Sequence, residues 1–220
     1  MSLLDTPVAE AVWAAIDFES TGSAPGQGDE PVQIGIAVAP GGMMVPGNFF
    51  RSFVRPDARL TQAASAVHRI RQCDVDNAPL LVSLWPEIKE RLSGAVIMAH
   101  GAGTERRFLR AFPMHGFGPW VDTLVLARAF LPGLSDHSLA SVVGACGVEG
   151  ALRDACPGLD WHDALFDATA CLVILRHFVE KFELGPRAVG ELASPDGAAY
   201  HRIRRLVRTV RDAGMTAPDE

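Results

Sequence analysis

With 48% hydrophobic and 21% charged residues, a chain of 220 residues can bury one large core, alone or with a small appendage. Its 20 Lys and Arg against 26 Asp and Glu leave a net charge of −6, which argues against a plain nucleic-acid-binding module but suits an enzyme that holds an anionic substrate through metal ions and a few arginines. No apolar run approaches the roughly 20 residues of a membrane-spanning helix, and Asp5 and Glu10 interrupt the start where a signal peptide would need an apolar core, so a soluble, cytoplasmic protein without membrane contacts is expected.

Residues 11–16 are an apolar run too short for a core helix and closed by turn signals, which reads as a buried strand. Asp17 and Glu19 follow in alternation. On an extended backbone, residues i and i+2 point to the same side, so both carboxylates face one point. Two acids that close repel each other, and a dry sheet end raises their pKa values unless a hard divalent cation such as Mg²⁺ or Mn²⁺ neutralises them. A solvated strand end is the plainer alternative for this pair alone.

Residues 21–31 are rich in Gly, Ser, Pro and acids and read as a loop beside the acidic pair. Residues 32–39 and 48–54 read as strands that continue an antiparallel meander, with turns at Pro40-Gly41-Gly42 and Pro46-Gly47. A short helix or turn is expected within 63–73, and helical spacing runs from Leu80 to Leu92, where Pro86 marks the first turn of a new helix. Residues 95–99 form a short apolar strand, followed by a Gly-containing loop and a helix over 104–111. That order is a parallel α/β unit, whose strand C-terminus is a usual place for a ligand site. Asp122 is an N-cap for a helix over 123–130, and a further helix covers 138–146.

Residues 147–161 read as irregular, and 163–182 as a long helix with an apolar middle. Composition shifts after residue 183, with breakers at Gly185-Pro186 and at 194–197. A terminal helix over 198–213 carries Arg202, Arg204, Arg205, Arg208 and Arg211, placed either against phosphates or on a solvated face. The expected organisation is therefore a domain over 1–183 with a helical extension over 184–220. Cys73, Cys146, Cys156 and Cys171 make no metal-binding spacing and read as small buried hydrophobes in a reducing compartment.

Three further residues stand where function is expected. Glu105 opens the helix after the 95–99 strand, a position that the helix dipole alone would explain. Asp167 interrupts an otherwise apolar helix, which is costly unless the acid is paired or binds a cation. His162, five residues earlier, would diverge from it by roughly 140° on a regular helix, so the two converge only if His162 lies in the preceding loop.

Taken together, Asp17-Phe18-Glu19-Ser20-Thr21-Gly22, the segment from His100 to Leu109, and His162 with Asp167 resemble the three motifs of the DEDDh 3′–5′ exonucleases. That superfamily includes the proofreading epsilon subunit of bacterial DNA polymerase III, RNase T and oligoribonuclease. The resemblance runs over about residues 11–180 and includes Ala66-Val67-His68, Val121-Asp122-Thr123-Leu124 and Ser135-Asp136-His137-Ser138-Leu139. It implies an α/β, ribonuclease-H-like fold, a mixed five-stranded sheet flanked by helices. It also implies two divalent cations, Mg²⁺ or Mn²⁺, held by Asp17, Glu19, Glu105 and Asp167, with His162 as general base. The terminal nucleotide would meet Phe18, Ser20, Thr21 and His100. The implied substrate is nucleic acid with a free 3′ end, single-stranded and with DNA favoured, cut to nucleoside 5′-monophosphates. Homodimerisation and association with a polymerase are both compatible with the resemblance.

One departure stands out. The family's second motif commonly reads His-Asn-Ala-x-Phe-Asp, and here Gly101, Thr104 and Glu105 replace the Asn, Phe and Asp. Glu105 keeps the charge and reaches about 1.5 Å further. The departure also leaves room for a catalytically impaired nucleic-acid-binding domain of the same fold.

Overall fold

The strand that carries the acidic pair runs from Val12–Ser20 (β1), so Asp17 and Glu19 lie within it rather than beyond its end. It pairs antiparallel with Pro31–Pro40 (β2), which pairs antiparallel with Phe49–Phe53 (β3). The computed structural model describes residues 2–41, 48–193 and 198–214; the expected turn at Pro46-Gly47 and the breakers at 194–197 lie outside them. After the meander come Gln62–His68 (α1), Gln72–Val75 (α2) and Trp85–Leu92 (α3), the last with Pro86 in its first turn as the sequence predicts. Val96–Ala99 (β4), Gly103–Phe108 (α4), Trp120–Asp122 (β5) and Thr123–Phe130 (α5) follow. Leu139–Cys146 (α6), Glu149–Ala155 (α7), Ala164–Lys181 (α8), Val189–Leu192 (α9) and Ala199–Gly214 (α10) complete the order.

The sheet order is β3-β2-β1-β4-β5, with β4 parallel to both β1 and β5. This is the expected mixed five-stranded sheet flanked by helices. Alternation along β1 divides its side chains cleanly. Ala14, Ile16 and Phe18 join the core that includes Ile88 and Leu92 of α3 and Phe108 of α4. Trp13 and Ala15 face the larger core filled by α5, α6 and α8. Asp17 and Glu19 continue that second face, so they point toward α8.

Two expectations are corrected. Residues 147–161 are not wholly irregular, because α7 lies inside them, supported by an Arg153–Glu149 ion pair at 2.9 Å one turn apart. A seven-residue helix with Leu152 as its buried residue has no period to read. Cys73 is exposed on α2, while Cys146, Cys156 and Cys171 are buried as expected, and all four are free thiols.

The C-terminal arginines take neither of the two expected roles as a group. Helix α10 buries Ile203, Leu206 and Val207 in the larger core. That seating lets Arg204 donate to the Ala129 carbonyl at 2.9 Å and Arg211 to the Phe130 carbonyl at 3.0 Å, while Arg202 donates to the Ala193 carbonyl. Ala129 and Phe130 are in the last turn of α5, where unpaired carbonyls and the dipole both favour cations. No helix among the described residues is long and apolar enough to cross a membrane.

Candidate functional site

Helix α8 lies on the sheet at Gly35, the cross-strand partner of Asp17. A Cβ at Gly35 would stand 2.2 Å from the Ala164 carbonyl carbon and the Leu165 nitrogen, so only glycine permits this approach. Gln33, one pleat away on the same face, fastens the helix start: its Oε1 accepts from Ala164 N–H at 2.9 Å and its Nε2 donates to Asp163 at 3.1 Å. Asp163 caps the helix through Leu165 N–H at 3.1 Å and pairs with Arg51 of β3. The first turn of α8, with Asp167 on it, is thereby held beside the acidic end of β1.

The loop before α8 places His162. Trp161 packs edge-on against Phe166 with ring centroids 5.0 Å apart. His162 then adopts a left-handed backbone with φ 65°, and its N–H donates to Asp167 Oδ2 at 3.3 Å. Its side chain is exposed. The loop position required for convergence with Asp167 is therefore the one observed. One ligand atom from each of Glu19, His162 and Asp167 lies within 4.8 Å of the others.

The electrostatics follow from this crowding. Burial pushes the Asp17 carboxyl well above the usual range, and the charges of Asp167, Glu105, Glu19 and Asp163 push it further. Glu19 is pushed up to about 8 by burial and then by Asp167 and Asp163. Asp167 rises to about 7, mainly through burial, against a smaller lowering by the His162 N–H. Glu105, buried in the first turn of α4, rises to about 7 for the same leading reason, although its own backbone N–H opposes the shift.

Two oxygens of this group, Glu105 Oε2 and Asp167 Oδ1, are buried with no hydrogen-bond partner among the described residues. Buried carboxylate oxygens without partners are costly, and hard divalent cations with oxygen ligands compensate such a set. Asp17, Glu19, Glu105 and Asp167 fit that chemistry. Asp122 does not belong to the set: it caps α5 through Leu124 N–H at 2.9 Å and also accepts from Gly101 and Ala102 N–H at 2.9 and 3.0 Å.

The remaining sequence candidates border the same end of the sheet. The Phe18 ring is turned to the opposite face and packs against Phe108 at 5.3 Å. Thr21 is buried, with its N–H on the Glu30 carbonyl at 2.8 Å and its hydroxyl oxygen accepting from Glu30 N–H at 3.0 Å. His100 donates Nε2–H to the His137 carbonyl at 2.8 Å and sets Nδ1 against the Thr123 hydroxyl at 3.0 Å.

Gly35, Gln33 and Asp163 escaped the reading of single motifs, though an isolated glycine within a strand run is itself a signal of close backbone approach. His68 gains a position. Its Nδ1 accepts from Ile70 N–H at 3.0 Å, so Nε2–H donates to the Ser20 carbonyl at 3.1 Å and holds the residue after Glu19. Burial lowers the His68 pKa, which favours this neutral form.

A family model described as RNase T, exonuclease, matches residues 14–175. The DNA polymerase III subunit epsilon-like protein of Rhodobacter capsulatus is 28% identical over 216 residues, covering 96% of this chain and 29% of that protein. The PolC-type DNA polymerase III of Thermotoga maritima is 32% identical over 181 residues, covering 80% of this chain. This chain spans only 12% of that polymerase's length. Among solved structures, exonuclease X in complex with 5′-overhanging duplex DNA aligns with a TM-score of 0.68 at 26% identity, over 83% of this chain and 99% of that one.

Proposed function

We propose that this chain, which belongs to the RNase T exonuclease family, hydrolyses nucleic acid from its 3′ end and releases nucleoside 5′-monophosphates. The observation that carries the reading is the pair of partnerless buried oxygens on Glu105 and Asp167, set among carboxyls that burial pushes up, with the charges of Asp167, Glu105 and Glu19 pushing Asp17 further. Asp17, Glu19, Glu105 and Asp167 would hold two divalent cations, Mg²⁺ or Mn²⁺. Bound there, such ions supply positive charge for the attacking and leaving oxygens and lower the pKa of water.

His162 acts as the general base, and imidazole is suited to proton transfer near neutral pH. It takes a proton from the attacking water, whose oxygen bonds to phosphorus as the bond to the 3′-oxygen of the preceding nucleotide breaks. That oxygen is protonated and becomes the new 3′-hydroxyl. The exposed loop position of His162 leaves the ring free to reach the water. The terminal nucleotide lies against the strand end bearing Phe18, Ser20 and Thr21, with His100 at the end of the neighbouring strand.

DNA is the favoured substrate, because the relatives include DNA polymerase III proteins and an exonuclease solved with DNA. The same names support association with a polymerase. The proposed form of that substrate is a single-stranded 3′ end. The exonuclease unit is assigned to residues 1–183, with 184–220 as a helical extension whose Val189, Leu192, Ile203 and Val207 are buried in the larger core, and four free cysteines suit the cytoplasm. A second reading, a nucleic-acid-binding domain that has lost cleavage, is favoured by Glu105 alone, whose carboxyl interacts with its own backbone N–H.

A digestion panel decides between them. Single-stranded DNA, duplex DNA and short RNA, each 3′-labelled, are incubated with Mg²⁺, Mn²⁺ or EDTA. Release of labelled mononucleotide from single-stranded DNA with either metal and none with EDTA is expected. Intact 3′ ends under both metals would overturn the hydrolytic reading.

A further inference from the structure

Among the described residues, the His, Cys, Asp and Glu side chains close enough to share one ion are Glu19, His162 and Asp167, whose ligand atoms lie within 4.8 Å of one another. Asp17 and Glu105 stand outside that set. The three donors are two carboxylates and one imidazole, drawn from the end of β1, the loop before α8 and the first turn of α8. Two of these residues are tied to each other through the backbone, since the His162 N–H donates to Asp167 Oδ2 at 3.3 Å. Asp167 Oδ1 is buried without a hydrogen-bond partner among the described residues, which leaves an oxygen for an ion.

Donor type decides which ion such a set prefers. Carboxylates and water suit Mg²⁺ and Mn²⁺, whereas an imidazole nitrogen suits Zn²⁺, which also stands above Mn²⁺ in affinity for nitrogen and oxygen ligands in general. Tetrahedral zinc with bonds of about 2.0–2.2 Å sets its donors about 3.4 Å apart. Donors already within 4.8 Å close onto such an ion through a side-chain rotation, and the exposed His162 ring is free to make it.

We infer that Glu19, His162 and Asp167 form an inhibitory Zn²⁺ site that overlaps the catalytic centre. The inhibition rests on the proposed reaction; the binding does not. A neutral imidazole has one acceptor nitrogen. With Zn²⁺ on that nitrogen, His162 has no lone pair left to take the proton of the attacking water. Mg²⁺ or Mn²⁺ held by carboxylates leaves the imidazole free for that step.

Calorimetric titration of the full, metal-free chain with Zn²⁺ alone and with Mn²⁺ alone tests the binding. His162→Ala should weaken Zn²⁺ binding by about tenfold or more and change Mn²⁺ affinity by less than about threefold. The substituted side chain is exposed, and thermal melts of both proteins show that the fold is kept. On 3′-labelled single-stranded DNA with saturating Mn²⁺, Zn²⁺ in slight excess over the chain should stop mononucleotide release, and Zn²⁺ alone should support none. Equal Zn²⁺ affinity in the parent and His162→Ala, or cleavage under Zn²⁺ as fast as under Mn²⁺, would overturn the inference. Absence of cleavage under Mg²⁺ and Mn²⁺ would instead overturn the proposed reaction, and the calorimetric contrast would still decide the site.

Discussion

Asp17 and Gly35 face each other across β1 and β2, and the missing side chain of Gly35 is what lets α8 descend onto the sheet beside the Asp17 carboxylate. The contact is with backbone atoms of Ala164 and Leu165, which cannot swing aside as a flexible side chain could. Helix position and acidic cluster are therefore set by one absent methyl group.

Gly35→Ala should cost about 3 kcal/mol or more, at the upper end of overpacking effects. It should also weaken Mn²⁺ binding by displacing Asp167. Gly144 in α6, where an added Cβ meets nothing within 4 Å, provides the control. Gly144→Ala should stabilise by about 0.5–1 kcal/mol. Urea unfolding of both variants checks the contrast, and equal effects would remove the close-approach argument.

Asp17→Asn should raise the thermal stability of the metal-free protein while lowering activity on the order of 10²–10³-fold or more. The reason is that Asp17 is both desolvated and repelled by Asp167, Glu105 and Glu19 when no cation is bound. An isosteric amide removes that repulsion. Melting in EDTA alongside a nuclease assay reads both quantities, and a variant less stable than the parent would contradict the account.

His162→Ala should lower the rate by about 10²–10⁴-fold. Because the side chain is exposed, stability should stay within about 0.5 kcal/mol of the parent. Steady-state rates and a denaturant curve on the same sample separate chemistry from folding.

The metal-free protein should lose stability as pH rises. Glu19, Glu105 and Asp167 titrate from about 7 to about 8 when folded, against ordinary values of 4.5, 4.5 and 3.8. Between about pH 4 and 8 the native state thus binds more protons than the unfolded chain, so unfolding free energy falls with pH across that window. Adding Mn²⁺ should restore stability at pH 8, since cations bind the deprotonated carboxylates, and should release protons at pH 6. Melting temperatures at pH 5 and 8, with EDTA and with Mn²⁺, test both signs.

His68→Ala should destabilise by about 1–3 kcal/mol, because it leaves the Ser20 carbonyl and the Ile70 N–H without their shared partner. Denaturant unfolding measures the loss, and a change under about 0.5 kcal/mol would show that water replaces the ring.

Local spacing alone was enough for much of this protein. The alternation of Asp17 and Glu19, the parallel strand–loop–helix at 95–111, the Asp122 cap and the required loop position of His162 were all readable, because each depends on neighbours within a few residues. What lay beyond local spacing was decided by which surfaces meet. The terminal arginines reach α5 carbonyls because α10 buries Ile203 and Val207 in the common core. Cys73 faces out because α2 buries Val75 instead. The depth at which α8 sits against β2, and with it the placement of Asp167 beside β1, is a property of packing between segments some 130 residues apart, where no periodicity in the chain can reach.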